Sequence, residues 1–139
     1  MAGFGALLIL ALHSTGCGRI DQARQCRGLA ATVNPALDGI EQRSQSGADR
    51  PETLRELAGR YDGLALALSQ QSFTDSELQR LIADYASLFR SVAHSLRALA
   101  SARQQLERPR EARIRGDLEN LVRKEAALAR RIDRVCHGS

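Results

Sequence analysis

Along most of this chain apolar residues recur at intervals of three and four, the spacing that lines one face of an α-helix, and the pattern resolves into four helical segments. In the first, Cys26, Leu29, Val33, Leu37 and Ile40 share a face. Pro35 lies inside this segment, and because proline removes a backbone donor it predicts a kink. Residues 44–50 (SQSGADR) supply turn chemistry. The second segment opens at Pro51, a residue suited to a first helical turn, and carries Leu54, Leu57, Tyr61, Leu64 and Leu68, with Gly59 and Gly63 lowering its propensity.

Helix three has the clearest start. Thr74 and Glu77 have the T-x-x-E spacing of a capping box, and Phe73 and Leu78 stand at the positions of a hydrophobic staple. The pattern predicts a helix from Asp75 to about Glu107. Its seam is Leu78, Leu81, Tyr85, Leu88, Val92, Leu99 and Leu106, widened by Ile82, Phe89 and Leu96. So wide an apolar face belongs in a bundle core rather than a two-stranded coiled coil. At roughly 33 residues this helix would span ~50 Å and outreach its neighbours. Helix four follows Pro109 with Ile114, Leu118, Leu121, Leu128, Ile132 and Val135, and Glu125 is the one polar residue at a seam position.

Four helices with short connections predict an all-α, up-down-up-down antiparallel four-helix bundle. Ala and Leu abound, Trp is absent and no low-complexity linker interrupts the 139 residues. A single domain is expected, residues 17–139, with 17–25 as a linker leading into it.

The N-terminus reads differently. Phe4 to Leu12 (FGALLILAL) is apolar throughout and no charged side chain precedes Arg19. Nine residues are too few for a bilayer core, which needs about 20 helical residues, so residues 1–16 read as an export signal. Ser14-Thr15-Gly16-Cys17 resembles the lipobox of bacterial lipoprotein precursors. That resemblance covers residues 1–17 only and implies cleavage before Cys17 and acylation of its thiol, hence a membrane anchor in the bacterial envelope. Ser14 and Gly16 equally suit ordinary signal cleavage, which would release a soluble secreted or periplasmic protein. For the folded domain the sequence points to no particular family.

Three cysteines in an exported chain leave one unpaired, and acylation of Cys17 would account for it. Cys26 and Cys136 then lie at the two ends of the folded part. An up-down bundle sets the start of helix one beside the end of helix four, so a Cys26–Cys136 disulfide is expected, the alternative being two buried thiols that serve as small apolar residues.

Charge is distributed unevenly. Residues 17–102 hold ten basic and ten acidic side chains, so the net +4 resides entirely from Arg103 onward. Arg103, Arg108, Arg110, Arg113 and Arg115 crowd the turn between helices three and four, opposed by Glu107 and Glu111. In an up-down bundle that turn lies at the end far from Cys17. It reads either as a solvated, paired turn or as a docking site for an anionic envelope protein, polymer or facing membrane. No aromatic residues interleave these arginines, so nucleic acid is not the expected partner.

Catalytic parts are missing from the pattern. Of three histidines, His13 lies in the signal, His94 on helix three and His137 in the tail, without metal-ligand spacing. The ending Cys136-His137 is similar to the C-x-x-C-H of haem-binding bundles, but Asp133 occupies the place of its first cysteine. The expectation is therefore no catalytic residue, no metal and no cofactor. The chain reads as a non-enzymatic envelope scaffold or protein-interaction module, the alternative being a periplasmic bundle that carries or senses a small ligand.

Overall fold

The computed structural model describes residues 5–138, with side chains described for residues 18–138. It is all-helical: α1 (Gly5–Gln45), α2 (Pro51–Ser69), α3 (Ser76–Gln104) and α4 (Arg108–His137), with no strand among the described residues. Each helix packs on its neighbours in the chain, α2 on α3 most extensively, and α1 meets α4 through the slightest of the four contacts. The lipidation expected at Cys17 falls on a side chain outside those described. Residues 18–25, expected as a linker, are helical and belong to α1.

The core is chiefly the work of α2 and α3. Around Phe89 lie Leu64, Leu68, Leu78, Leu81 and Ile82, to which α1 adds Leu29 and Val33 and α4 adds Ile132. A second cluster gathers Leu54, Leu57, Leu96 and Leu99 with Ile40 from α1 and Ile114 from α4. The alanines at 58, 65, 86, 93 and 100 are buried as completely as these larger residues. Small side chains at such positions let helix axes approach closely, and a leucine-based pattern passes over them. Among the described side chains α1 buries only three apolar residues and α4 only two.

Element boundaries differ from the expected ones for local reasons. The N-cap of α3 is Asp75 rather than Thr74: its carboxylate accepts from the Leu78 N–H at 2.8 Å, so the helix begins at Ser76. Thr74 is drawn to α1 instead, its N–H donating to Gln25 Oε1 at 3.0 Å and its Oγ1 accepting from Gln25 Nε2 at 3.1 Å. The short Asp side chain is an equally good cap, and the tertiary contact with Gln25 decides between the two. At its other end α3 stops at Gln104, so its 29 residues match the 30 of α4 and it outreaches only the 19-residue α2. Leu106, expected on the seam, lies beyond the helix and is 84 % exposed. Across Pro35, which faces solvent, α1 continues unbroken. Helices in folded proteins are held mainly by tertiary packing, and Leu29, Val33 and Ile40 supply it on both sides of the proline.

Cys26 and Cys136 are bridged, with Cα atoms 5.8 Å apart and 110 positions between them in the chain. Next to the bridge, Gln22 Nε2 donates to the Val135 carbonyl at 3.0 Å. A cross-link closing so long a loop restricts the unfolded chain and stabilises the fold by about 2–5 kcal/mol. Reduction, or the pair Cys26→Ser and Cys136→Ser, is therefore expected to lower the urea midpoint by a corresponding amount. A midpoint that reductant does not move would mean that packing alone holds α1 against α4.

Candidate functional site

The arginine-rich turn is built on the way α3 ends. The Glu107 N–H reaches the Ala102 carbonyl at 2.9 Å and the Leu106 N–H reaches that of Arg103 at 3.1 Å, the paired bonds of a Schellman motif. This motif requires left-handed backbone at the residue after the C-cap, and glycine is usual there. Here the residue is Leu106, with φ of 57°. A leucine in that conformation costs about 1–2 kcal/mol relative to an ordinary backbone state. Its exposed side chain gains no compensating burial. Glu107 then serves as the N-cap residue of α4 without a side-chain cap bond, and Pro109 occupies the first turn.

Arg103 holds this turn to the rest of the molecule. Its side chain is 14 % exposed, with Nε 2.9 Å from Glu111 Oε1 on α4. Its Nη1 donates to the Ala48 carbonyl in the α1–α2 turn at 3.0 Å and lies 3.7 Å from Asp49 Oδ1. One guanidinium thus joins both turns at this end of the molecule. Glu111 also accepts from Arg115 at 2.7 Å. Hydrogen bonds from Arg115 and Arg103 hold its carboxyl below the usual carboxylate range. Arg110 pairs with Glu107 at 2.9 Å.

The five arginines singled out in the sequence are therefore gathered at one end but differ in standing. Arg103 is consumed in holding the turn, while Arg110 and Arg115 are paired yet about half exposed. Arg108 and Arg113 are exposed and make no ion pair among the described residues. To these the fold adds Arg50, exposed and beside Ala48 and Asp49 in the α1–α2 turn. Its place here depends on a contact across more than fifty residues, for which sequence spacing carries no signal. Together Asp49, Leu106, Arg108, Glu111 and Arg115 line a shallow depression of about 600 Å³.

A second feature lies along the weak α1–α4 contact. There the helices leave an open groove of about 540 Å³, floored by Leu29, Val33, Ile132 and the ring of Tyr85, with the Cys26–Cys136 bridge among its walls. Arg27, Asn34, Asp133 and His137 stand along it, and His137 Nδ1 lies 2.9 Å from Asp133 Oδ1. Gly59 and Gly63, the residues that suggested loose packing in α2, face solvent instead. His94 is exposed on α3. No group of three or more metal-ligating side chains occurs among the described residues, and no helix among them is long and apolar enough to cross a membrane.

Glu125, the polar residue on the α4 seam, finds its partner across α3: Tyr85 donates its phenolic O–H to Glu125 Oε1 at 2.5 Å. Tyr85 is almost wholly buried and its ring packs 4.4 Å from that of Phe89. Burial, reinforced by the hydrogen bond to Glu125, pushes the phenol far above its ordinary value, so it remains a neutral donor at any physiological pH. No protein-family model, curated protein or solved structure matches this chain.

The Tyr85–Glu125 bond yields a double-mutant test. Tyr85→Phe leaves the carboxylate without its donor and is expected to cost about 1–2 kcal/mol. Removing both polar groups, Tyr85→Phe with Glu125→Leu, is expected to cost less than Tyr85→Phe alone, since an apolar pair leaves nothing unsatisfied. Urea unfolding of the single and double variants measures this coupling, and strictly additive losses would show that the two groups do not support each other.

Proposed function

We propose that this chain is an exported, lipid-anchored envelope protein whose four-helix bundle acts as a non-enzymatic interaction module, docking an anionic partner through the α3–α4 turn. The observation that carries the reading is the polarity of the molecule. The Cys26–Cys136 bridge sits at one end and the arginine-rich turn at the other, with about 42 Å of α4 helix between Arg108 and Cys136. A structural disulfide suits an oxidising compartment and leaves Cys17 as the odd cysteine, free for acylation. Up-down-up-down order is supported by what meets at each end. Arg103 links the α1–α2 and α3–α4 turns, whereas Thr74 in the α2–α3 connection meets Gln25, beside the bridge.

In this reading the anchor, joined through the helical residues 18–25 of α1, holds the bundle by its bridged end and presents Arg108 and Arg113 away from the anchoring membrane. Intact mass of the exported protein, with and without reductant, tests the first half: cleavage after Gly16, acyl mass on Cys17 and two protons gained on reduction are expected. A mass that retains residues 1–16 would overturn it. For the second half, Arg108→Gln, Arg110→Gln and Arg113→Gln together are expected to weaken capture of an anionic envelope partner, and undiminished capture would remove the turn from consideration.

The groove beside the bridge favours a second reading, a small-ligand carrier, because its volume and apolar floor fall in the range of ligand sites. Native mass spectrometry of the protein from its own envelope would show a bound small molecule; a ligand-free mass would count against this reading.

A further inference from the structure

Leu106 is the most exposed large apolar residue among those described, at 84 % against 64 % for Val122 and 61 % for Ile20. It is also the one non-glycine residue among those described with positive φ. Folding gains little from either property, since glycine would fit the turn better and the side chain buries only a small part of its surface. Leu106 shares one depression with Arg103, Arg108 and Arg115, opposed by Asp49 and Glu111, while Arg110 and Arg113 follow with Glu107 at the start of α4 and Arg50 lies in the adjoining α1–α2 turn. A projecting aliphatic side chain ringed by a cationic excess matches a layered partner, anionic on its surface and hydrocarbon just beneath. Dissolved polyanions have the charge without the apolar layer, and they would leave the leucine in water.

We propose that the α3–α4 turn docks on an anionic lipid surface, with Leu106 entering the headgroup–acyl boundary while Arg108, Arg113 and their neighbours engage the headgroups. This rests on the reading of the turn as the docking end and names the partner's chemistry. Binding of this kind sums buried apolar area and attraction to anionic lipid, so each part has its own signature. Arg103 and Glu111 keep the turn rigid, so that the leucine projects from a fixed base rather than from a loop that could fold back. With an acyl anchor at the bridged end, the bundle would span from one membrane to another facing it.

The test uses the processed chain, residues 17–139, carrying Cys17→Ser, so that neither the apolar signal nor an acyl group can hold it to a vesicle. Cosedimentation is measured on vesicles of phosphatidylglycerol mixed with phosphatidylcholine and on phosphatidylcholine alone. The anionic vesicles are expected to capture the protein and the neutral ones to do so far less, with capture falling as salt rises. Leu106→Gly is expected to raise Tm by about 4 °C through relief of the backbone and yet to weaken capture by about tenfold through loss of the inserted side chain. This variant separates docking from folding, because a more stable protein that binds less has lost a contact and not its structure. Each of Arg108→Gln and Arg113→Gln is expected to weaken capture about fivefold.

The chain has no tryptophan, so Leu106→Trp gives a single reporter at the tip. Its emission is expected to shift to the blue on anionic vesicles and to stay unshifted with soluble polyglutamate. Capture by Leu106→Gly equal to that of the parent protein, or equal capture on both vesicle types, would overturn the proposal. A tryptophan shift with polyglutamate matching that on vesicles would do the same and would assign the turn to an acidic polymer. If vesicles fail to bind while the arginine substitutions still abolish capture of an envelope partner, the docking end stands and only the lipid is lost.

Discussion

Closure of the bundle depends on the covalent link between Cys26 and Cys136. The α2–α3 pair buries most of the core and would associate through its own leucines, phenylalanine and alanines. The outer helices have far less to bind with: α1 contributes Leu29, Val33 and Ile40, α4 contributes Ile114 and Ile132, and the two scarcely touch. A ring of helices with one weak seam opens there first, since stability within a fold follows local burial. The bridge removes that route at one end, with Gln22 and Val135 hydrogen-bonded beside it. The same weakness that makes the bridge necessary leaves the groove between α1 and α4, so closure by a bond rather than by packing and the presence of a ligand-sized opening share one cause.

At the opposite end the fastening is electrostatic. Arg103 reaches both turns from a largely covered position, and Glu111 balances it together with Arg115. A partly buried, shared ion cluster is less screened than an exposed pair, which suits a structural role. The exposed pairs elsewhere, such as Arg97 with Asp62 and Arg43 with Glu56, orient helices without adding much to stability. By consuming Arg103 and Glu111 internally, the fold leaves Arg108, Arg113 and Arg50 as its outward charge. It also fixes Leu106 among them in a conformation that no stability argument favours. Strain in a place without packing is where function is sought, and the basic turn is the site at which charge, exposure and strain coincide.

Helical content and the deep core were readable from residue order, because a 3.6-residue period makes an apolar face visible wherever large aliphatic residues mark it. Leu54, Leu57, Leu64, Leu68, Leu78, Leu81 and Phe89 are buried where the period puts them. The buried alanines were not readable in this way, since alanine occurs as freely on helix surfaces. Local signals were ambiguous where two residues offer the same chemistry. Thr74 and Asp75 are both competent caps, and the hydrogen bonds that tie Thr74 to Gln25, 49 positions away, settled which one starts α3.

What residue order determined by itself was the number of helices, the aliphatic core positions and the place of the arginines along the chain, and it raised the expectation, met in the fold, that Cys26 pairs with Cys136. All of these follow from spacing and periodicity, which are properties of one dimension. Only the tertiary structure decided that Arg103 ties the α1–α2 and α3–α4 turns together, that Glu125 has a partner in Tyr85, that the open seam lies between α1 and α4, and that Leu106 points into solvent from a left-handed turn. Each of those depends on which groups from distant segments compete for the same space or the same hydrogen bond, and that competition exists only once the helices are packed.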